Sequence, residues 1–158
     1  MDLLPFFQWL QATKLSSTLN ESVWLYAVIQ AFHLVALAIF GGAILTLDLR
    51  LLGFGFTQQT RSAVARETQP WLMLGFIGLA VTGILQMISG AMKEYSSEIF
   101  WIKMYVLLAA IIFTFTMRHM VARADDSRVG SLVPKIVGVV SILLWVGVAV
   151  PARLIGLF

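Results

Sequence analysis

Four long apolar stretches, each bounded by polar residues, leave this chain few folds. They run from about Val23 to Leu47, Pro70 to Ala91, Ile99 to Met117 and Leu132 to Val150. A bilayer core about 30 Å thick is crossed by about 20 apolar residues of helix. The expected fold is therefore all-α: an integral membrane four-helix transmembrane bundle, forming a single transmembrane domain over residues 1–158. Composition supports this. The chain is 59% apolar and 12% charged, where a soluble domain carries about 25% charge. The mean hydropathy of +0.90 agrees, and the excess apolar surface calls for lipid.

The span edges carry the expected signals. Asn20, Glu21 and Ser22 precede the first span, where helix caps and first-turn acids belong. Trp24 and Tyr26 sit where an aromatic belt would, and Asp48 and Arg50 close the span. Pro70 suits the first turn of the second helix, where its missing N–H costs nothing. Lys103 lies in the first turn of the third, within snorkelling distance of the interface. The fourth starts near Pro134 and is followed by Pro151 and Arg153. Residues 57–69, 93–98 and 122–131 read as short polar connections. Residues 1–13 lack the positive n-region of a signal peptide. Leu3, Leu4, Phe6, Phe7, Trp9 and Leu10 make them an expected interfacial helix.

The formal charge of +3 and pI near 9.6 do not imply nucleic-acid binding, because the cations lie between apolar spans. Of eleven basic residues, Lys14, Lys93, Lys103 and Arg153 fall on the side of the termini. Arg50, Arg61, Arg66, Arg118, Arg123, Arg128 and Lys135 fall on the other. Four against seven predicts a bacterial-type inner membrane protein with both termini on the outer side. The absence of cysteine removes disulfides, thiolate metal sites and covalent haem attachment.

Small and polar residues mark inward faces in a membrane, since close approach and hydrogen bonds hold such bundles together. Gly75, Gly78, Thr82, Gln86 and Ser89 form such a stripe on the second helix. Tyr105, Ala109, Ile112, Thr116 and His119 form one on the third. Gln30, His33, Leu37, Phe40 and Ile44 share a face of the first, with Gly41 and Gly42 nearby; Gly138, Ser141, Trp145 and Ala149 share one of the fourth. Each stripe reads either as ordinary helix contact or as the lining of a cofactor cavity.

His33 is the most informative residue, because ionisable groups at mid-span are costly and tend to be functional. Gln30 lies one turn away and is a candidate hydrogen-bond partner. His119, the other histidine, ends the third span beside Arg118. Two imidazoles in a bundle without cysteine suggest haem b, with His33 and His119 as metal ligands. Trp145, Phe113 and Phe40 are candidates to pack on the porphyrin, and Arg118, Arg123, Arg50 or Lys103 to pair with propionates. Depth opposes a shared haem. The histidines differ by on the order of 15 Å along the bundle, more than ordinary helix tilt absorbs. The alternatives are His33 alone, His33 with Met87 or Met104, a second haem at His119, or a ligand from another protomer. Structural roles for both histidines remain open. Asp48 is a candidate partner of Arg118 or Arg50, or simply ends its span with Arg50. Seven methionines, with Met117 and Met120 bracketing His119, raise a copper reading.

The segment HLVALAIFGGAILTLDLRLLG, from His33 to Gly53, and the WIKM entry at Trp101–Met104 to a helix ending in His119 resemble a group of small bacterial four-helix membrane proteins of unknown function. That group is loosely similar to the membrane domain of copper-resistance D proteins. The resemblance implies that His33, Asp48, Arg50, Lys103 and His119 are the residues to watch.

The leading functional expectation is a haem-b electron-transfer protein working within the bilayer with a redox partner or quinone, as a monomer or homo-oligomer. The alternatives are a non-enzymatic accessory or assembly subunit, and a copper or small-solute permease.

Overall fold

The computed structural model describes residues 3–55, 58–123 and 132–155. The third connection, residues 124–131 with Arg128, lies outside them, as does the side chain of Arg123. The described residues form seven helices: α1 Leu4–Gln11, α2 Lys14–Glu21, α3 Val23–Leu52, α4 Arg61–Ser89, α5 Ala91–Ser96, α6 Glu98–Arg123 and α7 Leu132–Ile155. Four of them, α3, α4, α6 and α7, are long and apolar enough to cross a membrane. The chain is thus an all-helical, multi-pass bundle.

Helices α3 and α4 form one tightly packed pair and α6 and α7 another, with α7 returning to pack on α3. Gly75 and Gly78 set the first pairing. A Cβ on Gly75 would lie 2.6 Å from the Phe40 nitrogen, and one on Gly78 would lie 2.9 Å from the Ala36 Cβ. Only a hydrogen fits there, so dispersion and backbone contact hold the helices in a solvent without hydrophobic drive between them. Gly41 and Gly42 have nothing within 4 Å of a would-be Cβ and do not serve this purpose.

Helix ends follow local chemistry. Ser22 Oγ accepts from the Leu25 N–H at 3.2 Å and Thr60 Oγ1 from the Ala63 N–H at 3.2 Å. Gly53, at φ +88°, ends α3 in a Schellman turn, with the Phe54 N–H donating to the Leu49 carbonyl at 2.8 Å.

The structure corrects several boundaries. Asn20 and Glu21 belong to α2 and only Ser22 caps α3. Pro70 lies inside α4 rather than in its first turn, because the Thr60 cap starts the helix ten residues earlier. Much of the first connection is therefore helical, and α5 occupies most of the second. The amphipathic N-terminal segment is helical as expected, but a second short helix, α2, follows it. Together they cap one end of the bundle. Phe7 packs edge-on against Phe100 and Trp101, and Asn20 Nδ2 donates to the Ser89 carbonyl at 2.9 Å. This is the N-terminal end. The opposite, cation-rich end carries the α3–α4 connection.

Candidate functional site: two polar layers separated by an aromatic plug

The bundle centre is a plug. Phe40, 1% exposed, meets Trp145 at 4.8 Å between ring centroids and 78° between planes. Phe76 lies 6.1 Å from Phe40 and 5.4 Å from Phe115. Leu72 completes the cluster. The Trp145 indole N–H donates to Thr114 Oγ1 at 3.0 Å, so its polar edge is also engaged.

Toward the cation-rich end lies an inner polar layer. Arg118 is 5% exposed and Asp48 4%. The guanidinium reaches from α6 across to two helices, donating through Nη1 to the Ala43 carbonyl at 3.3 Å and through Nη2 to the Ala65 carbonyl at 3.3 Å and to Thr68 Oγ1. Asp48 accepts from Ser141 Oγ at 2.7 Å. The two charges act on each other through space, while Arg118 Nε has no hydrogen-bond partner among the described residues. A cavity of about 10 Å³ lies between Asp48, Ser141 and Arg118, about the room one water takes. Burying both charges is costly, and removing either would strand the other. Asp48, the candidate partner of Arg118, lines the same small cavity and acts on it through space, while the hydrogen bonds of Asp48 and Arg118 go to Ser141 and to Ala43, Ala65 and Thr68 respectively. Arg50 instead donates through Nε to the Gln59 carbonyl at 2.8 Å, tying down the first connection.

Toward the N-terminal end lies an outer polar layer centred on His33. His33 stands seven residues, two turns, before Phe40 and so shares its inward face. The imidazole Nδ1 lies 2.7 Å from Thr82 Oγ1. The Thr82 hydroxyl already donates to the Gly78 carbonyl at 2.6 Å. Its hydrogen is thus committed, so the hydrogen between the two side chains comes from Nδ1. That fixes the ring tautomer and leaves Nε2 as the free lone pair. The partner is Thr82, not Gln30. Gly83 sits beside the ring, with His33 Cε1 3.6 Å from its would-be Cβ. Lys103, from α6, is close enough for its charge to act on both His33 and Glu94, and its Nζ lies 5.2 Å from the Phe100 ring centroid. Gln86 Nε2 and Glu94 Oε2 are buried here without hydrogen-bond partners among the described residues. Burial pushes the Glu94 carboxyl above the ordinary carboxylate range, against the pull of Lys103 and Lys93.

Beside His33 the packed face of α3 continues through Ile29 and Ala36, 9% and 8% exposed, whereas Leu37 at 45% and Tyr26 at 43% lie off it; Gln30 and His33 are half-buried at its edge, so the expected place of Leu37 on the inward face is corrected.

The predicted site residues do not converge on one place. His33 lies beside Thr82. His119 is exposed and shares a groove with Ala65, Arg66 and Gln69 at the other end. Thirteen residues of α4 separate Gln69 from Thr82, about 20 Å along the helix. The two histidines of one chain cannot bind the same iron. Trp145 and Phe40 pack on each other in the plug. Met87 packs in the cluster under the N-terminal cap, and Met104 is 38% exposed. The third-helix stripe is also corrected: Tyr105 and Ile112 are 71% and 59% exposed, whereas the buried face of α6 carries Ala110, Thr114 and Arg118. Apolar residues look alike to lipid and to a neighbour, so a threonine and a histidine misled the assignment. Thr114 was missed although one turn separates it from Arg118.

The family of unknown function DUF6644 matches residues 6–158, nearly the whole chain, and the protein belongs to it. No curated protein and no solved structure matches the chain.

Proposed function

We propose that this DUF6644 protein is a small membrane haem-b protein that ligates iron through His33 and carries electrons within the bilayer. One observation carries the reading: a half-buried mid-span imidazole whose Nδ1–H is held by Thr82, leaving Nε2 free. Ligand histidines are held in this way, with the second nitrogen donating to a fixed acceptor that orients the ring. The fit is to one axial histidine. The plug closes the middle of the bundle, so a porphyrin on His33 would occupy the outer half, with Lys103 the nearest described cation to pair with a propionate. Bound haem supplies an iron that takes and releases one electron. The protein's part is to hold the ring, orient it and exclude water. A second axial ligand, if the iron takes one, would come from a partner or a second copy.

The test is the visible spectrum of detergent-purified protein made with ample haem, oxidised and then reduced. A Soret band is expected, lost in His33→Ala and kept in His119→Ala. Thr82→Val is expected to weaken haem retention on the order of 10–100-fold without unfolding the protein. A colourless wild-type protein, or a pigmented His33→Ala, overturns the reading. The Thr82 bond would then serve helix packing alone, as in an accessory subunit. The copper reading has weaker support here: Met120 is exposed at the edge of α6 and His119 with it.

A further inference from the structure

We propose that the groove between α4 and α6 at the cation-rich end binds the phosphate of an anionic phospholipid from the adjoining leaflet. The groove encloses about 380 Å³ and is lined by Ala65, Arg66 and Gln69 from α4 and by Phe115, Arg118 and His119 from α6. The long Arg118 side chain crosses beneath it from α6, donating to the Ala43 carbonyl of α3 and to the Ala65 carbonyl and Thr68 hydroxyl of α4. Arg118 gives the groove a cationic floor. Its nearest counter-charge, Asp48, is turned to Ser141 on the far side. Arg66, Gln69 and His119 are exposed at the mouth. A guanidinium, a carboxamide and an imidazole thus face one opening, all able to donate to phosphate oxygens. Glu67, next to Arg66, does not line the groove.

Depth selects a lipid over a soluble anion. Arg66 and Gln69 immediately precede Pro70, where the apolar run of α4 begins, so the mouth stands at headgroup level. Phe115, one turn deeper in α6 than His119, continues the wall toward the hydrocarbon, where the first methylenes of an acyl chain would lie. Basic pockets between transmembrane helices recognise lipid headgroups by this combination of charge and depth. The proposal does not depend on haem.

The experiment uses the full chain, delipidated in a neutral detergent, and follows its melting temperature with added phosphatidylglycerol, phosphatidylcholine of the same chains, or inorganic phosphate. Phosphatidylglycerol is expected to raise the melting temperature by on the order of 5 °C, and the other two to leave it unchanged. The double variant Arg66→Gln/His119→Gln is expected to melt with phosphatidylcholine as the wild type does, because both residues are exposed. It is expected to lose most of the phosphatidylglycerol shift. An equal shift in the double variant, or an equal shift with phosphatidylcholine, overturns the site. An equal shift with inorganic phosphate alone overturns the lipid assignment.

Discussion

At Glu94 two effects oppose each other, and burial wins. Lys103 and Lys93 favour the carboxylate, yet desolvation outweighs them and the carboxyl holds its proton more tightly than in the unfolded chain. The buried, unpartnered Oε2 is the geometric side of the same fact. The sign of the linkage follows. A group whose folded pKa is raised makes the native state bind more protons than the unfolded one, so stability falls as pH climbs from the ordinary carboxylate range, about 4.3, through the raised value. Glu94→Gln removes that dependence. Melting curves from pH 4 to 7 are expected to show the wild type losing ground to the variant as pH rises. Parallel curves would mean that the carboxylate is well solvated in the folded protein. A half-buried acid with an unpartnered buried oxygen, at the same end of the bundle as the unpartnered Gln86 amide nitrogen and a half-buried imidazole, is costly to keep, which is why this end draws a functional reading.

At the scale of helices, the α3–α4 pair depends on two missing methyl groups. Gly75→Ala would drive a Cβ into the Phe40 backbone, which a side-chain rotation cannot relieve. Separating the helices would loosen the plug and strain the His33–Thr82 bond two turns away. A loss of about 1–3 kcal/mol is expected, read as a lowered melting temperature in detergent. Gly41→Ala and Gly42→Ala, facing open space, are expected to stay within about 0.5 kcal/mol of wild type. Equal losses at all three positions would remove close approach as the cause. The stripe on this helix was legible in the sequence because glycine, threonine and serine in membrane helices point at neighbours. The α6 face was not legible, since Tyr105 and Thr116 are tolerated toward lipid and interface. Nor did local sequence reveal that Arg118 bonds carbonyls of two other helices; a long cation near a span end reads first as snorkelling. His33 was visible as a costly mid-span group, but its partner lies 49 residues away on another helix, and only the packing shows it.

At the scale of the whole molecule, the aromatic plug divides the bundle into two halves with different chemistry. Asp48, Arg118 and Ser141 lock the inner half around room for about one water, while His33, Gln86, Glu94 and Lys103 gather in a more accessible outer half. Passage of a solute along the bundle would require Phe40, Phe76 and Trp145 to separate. Which half faces the cytoplasm then decides which leaflet would fill the groove proposed at His119. The seven-to-four distribution of basic residues predicts that the α3–α4 connection is cytoplasmic. Because the chain has no cysteine, single substitutions report sidedness without background. Gln58 and Ser96 are both exposed, one in that connection and one at the end of α5. A membrane-impermeant maleimide is expected to label Ser96→Cys while the inner membrane is intact, and Gln58→Cys only after lysis. The reverse pattern would invert the protein, placing His33 near the cytoplasm and the cationic groove in the outer leaflet. Labelling of both from one side would mean that α4, the one span between them, does not cross, and the four-span bundle itself would fail.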